Sequence, residues 1–217
     1  MSTPPLRLRI SEIFASLQGE SLTQGLPTLF IRLTGCPLRC HYCDTPYAFS
    51  GGDWMTLDQI LTTTRDSGLP LVTVTGGEPL AQTACRTLLY RLCESGLTVS
   101  LETSGALPIE AIDRRVQRIV DLKTPGSGEV ERNLYANLDH LNPQDQLKFV
   151  LTSEEDYQWA KKLIKEYQLQ QRCPLLMLPA FQHLPAATLA EWILRDRLPV
   201  RMQLQLHKQL WGDQPGR

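Results

Sequence analysis

Short β-rich runs alternate with helical patterns along almost the whole chain, and this restricts the fold more than any other feature. Residues 28–33, 71–74, 97–102, 119–122, 146–151 and 175–178 read as strands, and 202–206 alternates as a further, terminal strand. Between them 56–67, 83–95, 109–116, 153–167 and 186–195 read as helices. Thr56 and Gln59 are spaced as a capping box for the helix at 56–67, as are Ser153 and Asp156 for that at 153–167. Parallel neighbours need a crossover connection, so strands alternating with helices imply a parallel sheet. Six core strands are too few for a closed eight-stranded barrel. The expectation is an α/β fold, an open, partial parallel β/α barrel of about six strands. Residues 124–141 are polar and read as loop, and no repeat or linker divides the chain. A length of 217 residues fits one domain, read as 1–217.

The chemically versatile residues stand just after strands, where parallel α/β folds place their sites. Foremost are Cys36, Cys40 and Cys43, three thiols within eight residues directly after the strand at 28–33. Three close thiolates can hold three irons of a cubane cluster and leave the fourth iron open to an outside ligand. A structural zinc site needs four protein ligands. His41 is adjacent to Cys40, and no second C-x-x-C pair exists to complete a ribbon. A zinc knuckle completed by a distant histidine stays open as an alternative. Cys85, Cys93 and Cys173 are scattered and read as packed thiols. Gly76-Gly77-Glu78-Pro79 ends the strand at 71–74, and paired glycines let a backbone approach a ligand closely. Glu102-Thr103-Ser104-Gly105 and Asp121-Leu122-Lys123 end the next two, offering hydroxyls, carboxylates and an ammonium suited to a ribose and a carboxylate.

Composition narrows the class further. With 42% hydrophobic residues, 21% charged and a net charge of −1, nothing argues for a nucleic acid or anionic membrane partner. The longest apolar runs are too short to span a bilayer, and the N-terminus lacks the apolar run of a secretory signal. Clustered thiols without a disulfide pattern fit a reducing compartment, so a cytoplasmic location is expected.

The C-x-x-x-C-x-x-C spacing resembles the signature of the radical S-adenosylmethionine (SAM) superfamily. The resemblance implies a 4Fe–4S cluster on Cys36, Cys40 and Cys43 whose open iron is chelated by SAM, and reductive cleavage of SAM to a 5′-deoxyadenosyl radical. Tyr42 would lie near the adenine, and the Gly-Gly-Glu-Pro turn resembles the superfamily's second motif, which binds the SAM amino group.

Two further segments, Ile13 to Ser21 (IFASLQGES) and Gln205 to Gly212 (QLHKQLWG), together with Asp44-Thr45, resemble the 7-carboxy-7-deazaguanine synthase family from about Glu12 to Gly212. This implies ring contraction of 6-carboxy-5,6,7,8-tetrahydropterin to 7-carboxy-7-deazaguanine with loss of ammonia, in queuosine and deazapurine biosynthesis. SAM would be regenerated and Mg²⁺ would be part of the site. By family position Leu17, Gln18, Gly19, Arg32, Thr75 and His207 would contact the pterin, Arg32 and His207 at its carboxylate end. Tyr42, Cys43, Asp44, Gly77, Asp121, Leu122 and Lys123 would border SAM, and Thr45 would ligate Mg²⁺. Segments of about 12–21 and 202–217 would complete the substrate site. A homodimer and a flavodoxin or ferredoxin as electron donor are expected. Ser21 replaces a usual glycine and Ser104 a usual asparagine, and the tail 213–217 extends beyond the family's tryptophan-glycine end. The competing readings are another small radical SAM enzyme, such as a glycyl-radical enzyme activase, and a non-enzymatic zinc or RNA-binding module.

Overall fold

A computed structural model describes residues 5–212, 214 and 216. The ends of the expected single domain, 1–4, and Asp213, Pro215 and Arg217 of the expected C-terminal segment lie outside the described residues.

One nine-stranded sheet organises the chain: β1 (Arg7–Leu17), β2 (Pro27–Leu33), β3 (Asp53–Thr56), β4 (Leu71–Gly76), β5 (Thr98–Thr103), β6 (Gln117–Asp121), β7 (Gln146–Leu151), β8 (Leu175–Pro179) and β9 (Arg201–Met202). Their order is β3-β1-β2-β4-β5-β6-β7-β8-β9, open at both ends. From β2 through β9 every neighbour is parallel, whereas β1 runs antiparallel to both β2 and β3. The six expected core strands are thus the parallel centre, the structure adds an antiparallel pair at one edge, and the expected terminal strand is a two-residue strand at the other.

Helices α1 (Leu57–Asp66), α2 (Cys85–Glu94), α3 (Glu154–Glu166) and α4 (Ala186–Asp196) form as expected, followed by a short α5 (Leu206–Trp211). The Thr56–Gln59 capping box is complete. At α3, Ser153 accepts from the Asp156 amide, but the Asp156 carboxylate turns instead to Thr152 and the Gly126 amide, tying the loop after β6 to the helix.

The expected helix at 109–116 is absent. Pro108 precedes it, and Asp113 accepts from the Arg115 backbone and guanidinium, a local turn that competes with helical bonds. The Ile109 amide is satisfied by Asn137 from the following loop. The terminal strand at 202–206 shrinks to Arg201–Met202: the Gln203 amide still donates to Met177 of β8, but its side chain turns to the Ser21 carbonyl and the Leu206 amide bonds Gly19 instead of the sheet. Residues 124–141 form three 3₁₀ turns, as a loop should.

The two faces of the sheet differ chemically. Val72, Val74, Val99, Leu101, Val120, Leu147, Phe149 and Leu151 join the hydrophobic core. The intervening residues Thr73, Thr75, Ser100, Glu102, Asp121 and Lys148 point to the opposite face, since side chains alternate along a strand. That polar inner face is the floor of the site. Among the described residues no helix is long and apolar enough to cross a membrane.

Candidate active site

A cavity of about 430 Å³ opens over the carboxyl ends of the parallel strands. The loop after β2 forms one wall and places Cys36, Cys40 and Cys43 on it, all free and half-buried. Arg39 braces this loop by donating to the carbonyls of Cys36 (2.8 Å) and Leu38 (2.7 Å), while its guanidinium stacks on Phe49. The Gly76-Gly77 turn packs against it, with the Glu78 amide donating to the Gly35 carbonyl at 2.7 Å. A side chain on Gly77 would strike that same carbonyl, so the position requires glycine for close backbone approach.

Glu78 holds this turn and is not a ligand. Its fully buried carboxylate accepts from the Leu80 amide, the Thr103 hydroxyl and both the amide and hydroxyl of Ser104. The serine at 104 therefore supplies the bonding the turn needs. At the other departure, Ser21 adopts φ +70°, a left-handed conformation that explains the usual glycine.

A network of buried charge lies beneath. Lys148 on β7 reaches Glu20 at 2.8 Å and Asp121 at 3.5 Å, and Lys123 bonds Asp121 at 2.9 Å. Burial opposes charge on Glu20, but Lys148, Gln205 and His207 outweigh it and hold its carboxyl at about 2. Burial also opposes charge on Lys148, and Glu20, Asp121 and Glu102 more than compensate, so it stays an ammonium. Glu102 moves the other way: its burial raises it, and Lys148 only partly offsets that. Among the thiols, burial pushes Cys40 up to about 11 against the pull of Lys123.

Several residues that line the cavity keep unused bonding capacity. Asp121 Oδ1 is buried without a partner among the described residues, an acceptor that wants a donor. The Thr45 side chain caps nothing although it begins a 3₁₀ turn beside Asp44. Among the described residues Arg32 donates only from Nε, to Glu12 at 2.6 Å. The Tyr42 ring sits 5.9 Å from the Lys123 ammonium. These features fit a cluster with SAM along the Tyr42–Lys123 side and a hard cation near Thr45, which suits oxygen ligands. A zinc ion held by side chains alone fits badly: among the described residues no three His, Cys, Asp or Glu side chains are gathered to hold one ion. A cubane takes each thiolate on a different iron, so its ligands stand farther apart.

Leu17, Gln18, Gly19, Arg32, Thr75 and His207 line the same cavity as the cysteine loop. The Gln18 amide is already engaged, donating to Thr73 and Glu102 and accepting from the Glu20 amide, so it shapes the wall more than it offers free bonds. Thr75 likewise donates to Glu102. The His207 ring packs against Gly19, where any side chain would collide with it. Tyr42, Cys43, Asp44, Gly77, Asp121, Lys123 and Thr45 also line the cavity. Leu122 does not: its side chain belongs to the core and its amide bonds the Lys148 carbonyl.

Sequence reasoning did not single out Lys148, Gln205 or Tyr47. Lys148 had a signal, a lysine set among Leu147, Phe149, Val150 and Leu151 in one strand. Gln205 stood in the C-terminal segment that carries the family resemblance but had no role of its own there; it closes that segment over the site by donating to Glu20 (2.9 Å) and Asp44 (3.3 Å).

Comparison with known proteins agrees with this geometry. Residues 30–170 match the model of the radical SAM superfamily. A 7-carboxy-7-deazaguanine synthase of Chlorobaculum tepidum is 48% identical over 208 residues, covering 94% of each chain. One of Koribacter versatilis is 39% identical, covering 94% of this chain and 97% of its own. Among solved structures, QueE from Escherichia coli superposes with a TM-score of 0.76 at 23% identity, over 92% of this chain and 94% of that one.

Proposed function

The chain belongs to the 7-carboxy-7-deazaguanine synthase family of the radical SAM superfamily, and from that membership we propose that it converts 6-carboxy-5,6,7,8-tetrahydropterin to 7-carboxy-7-deazaguanine with loss of ammonia. One observation carries the reading: the cysteine loop, the Leu17-Gln18-Gly19 segment, Arg32 and His207 all face one cavity. The protein is a radical SAM enzyme whose cofactors are a 4Fe–4S cluster, SAM and Mg²⁺. Bound together, the cluster and SAM supply a 5′-deoxyadenosyl radical.

The chain's own residues position the reactants. Cys36, Cys40 and Cys43 hold the cluster, and Tyr42, Cys43, Asp44 and Gly77 border SAM with Asp121 and Lys123. Asp121 would contribute the carboxylate paired with Lys123 and Lys148 to the SAM side of the cavity. Leu122 supports this turn only from the core side. The Thr45 hydroxyl ligates Mg²⁺. Arg32 pairs with the substrate carboxylate through its unused terminal nitrogens, the bidentate recognition for which guanidinium is suited. His207 assists from the roof, while Leu17, Gln18, Gly19 and Thr75 form the pterin-facing wall. The C-terminal segment, clasped to Gly19, Glu20 and Ser21, excludes water from the radical.

The same reading takes the chain as one cytoplasmic domain that works as a homodimer and receives electrons from a flavodoxin or ferredoxin. An activase would act on a protein; the curated relatives carry the synthase name instead. The test is anaerobic reconstitution with iron and sulfide, then incubation with SAM, Mg²⁺, reductant and the carboxytetrahydropterin. Ring-contracted product and ammonia are expected. SAM cleavage with the pterin returned unchanged would leave a radical SAM enzyme acting on something else.

A further inference from the structure

Strand β1 changes face partway along its length. Ile10 pairs with Leu33 and is buried in the core, but the register shifts before Glu12, which pairs with Arg32. Without the shift, Ile10 and Glu12 would share a face, since side chains two apart on a strand do. The bulge instead keeps Leu8, Ile10 and Ile13 on the core side and turns Glu12 and Phe14 to the cavity side. Bulges of this kind re-aim side chains beside functional sites.

What the bulge delivers is a bracket around one guanidinium. Glu12 Oε1 accepts from Arg32 Nε at 2.6 Å and from the Tyr47 hydroxyl at 2.8 Å. The rings of Phe14 and Tyr47 lie 5.7 and 6.0 Å from the guanidinium carbon. The Arg32 side chain is 14% exposed and that of Glu12 21%. Its Nη atoms make no hydrogen bond among the described residues. A pair serving only cross-strand stability gains nothing from a third residue contributed by the cysteine loop, or from leaving one edge of the guanidinium unbonded beside a cavity.

We propose that Glu12, braced by the Tyr47 hydroxyl, is a positioning residue that fixes Arg32 with its terminal nitrogens toward the cavity as a carboxylate receptor. This rests on the assignment of Arg32 to the substrate carboxylate. Glu12 consumes the Nε edge, so the carboxylate meets only the edge between the two terminal nitrogens, in one orientation. Tyr47 stands two residues beyond Thr45, so the bracket also ties the substrate's anionic end to the cluster loop.

The test is equilibrium binding of fluorescent 6-carboxypterin, and of pterin lacking the carboxylate, to the cluster-loaded protein. Glu12→Ala should weaken 6-carboxypterin by roughly tenfold or more, as expected for losing a charge-assisted bond that holds the receptor, and leave unsubstituted pterin within about twofold. Glu12→Gln keeps an acceptor for Nε and should recover most of the loss. In an Arg32→Ala background Glu12→Ala should add nothing, because it acts through Arg32. Tyr47→Phe, which removes only the brace, should weaken 6-carboxypterin by roughly threefold and serves if Glu12→Ala does not fold. Equal weakening of both pterins, or an undiminished Glu12→Ala effect without Arg32, would overturn the positioning role. Unchanged 6-carboxypterin binding in Arg32→Ala alone would instead remove the Arg32 assignment beneath it.

Discussion

Replacing Lys148 by methionine should cost the fold about 3–5 kcal/mol near neutral pH, because it strands buried carboxylates without their cation. Methionine keeps an unbranched apolar stem of similar reach, so the change isolates charge from packing. The Lys148 ammonium lies 2.8 Å from Glu20 and 3.5 Å from Asp121, with all three side chains between 9% and 13% exposed. Asp121 would retain Lys123 at 2.9 Å, but Glu20 would keep only the Gln205 amide and the more distant His207. The penalty therefore falls on Glu20 and carries a pH signature. In the native chain burial favours the protonated Glu20, yet Lys148 and its neighbours hold it at about 2 against an ordinary 4.5. A carboxyl lowered on folding contributes stability above its unfolded value that is lost as pH falls through the folded one. Without Lys148 burial is opposed only by Gln205 and His207, so Glu20 moves up from its native value, and the variant is penalised at neutral pH and relieved on acidification. The difference in unfolding free energy between the two proteins should narrow as pH falls through the ordinary carboxylate range toward about 2. Urea unfolding of both without cluster, followed by circular dichroism, measures it. A difference that stays constant across that range would show that Lys148 acts by packing, and would refute the charge network.

Three other outcomes follow from the geometry. Gly19→Ala should displace the His207 ring and raise KM for the pterin by about tenfold or more, since an ångström of misplacement is costly in a positioned site; an unchanged KM would mean His207 is not where the substrate binds. Thr45→Ala should raise the Mg²⁺ concentration giving half-maximal turnover, read by titrating Mg²⁺ into metal-depleted enzyme, and an unchanged titration would free Mg²⁺ from that hydroxyl. Cys40→Ala should abolish 5′-deoxyadenosine formation, because two thiolates cannot hold the cubane while one iron stays open, whereas Cys85→Ala and Cys93→Ala should keep full iron content.

The parallel centre was legible because its strands are apolar runs separated by amphipathic helices with caps at Thr56 and Ser153. The antiparallel edge was not. The bulge in β1 breaks the period of two on which strand recognition rests, and Asp53–Thr56 is too short to show a period. Residues 109–116 carry helical spacing, but the Asp113 turn and the Asn137 contact decide their form, and Asn137 lies far along the chain. The site divides the same way. Groups defined by local spacing, the three cysteines and Gly76-Gly77, were readable from the residues alone. Arg32 and His207 needed the family resemblance, since one strand arginine and one histidine have many uses. The Glu20–Lys148–Asp121 network and Gln205 depend on segments meeting from opposite ends of the chain, which no window of sequence contains.

The central claim, that one cavity couples SAM cleavage to pterin ring contraction, is tested most directly by counting products against SAM. Cluster-loaded enzyme with Mg²⁺, excess reductant, limiting SAM and excess 6-carboxy-5,6,7,8-tetrahydropterin should release equal amounts of 7-carboxy-7-deazaguanine and ammonia, exceeding the SAM supplied. That is the result for a regenerated cofactor acting on this substrate. Accumulation of 5′-deoxyadenosine matched to the SAM consumed, with no deazaguanine formed, would contradict it.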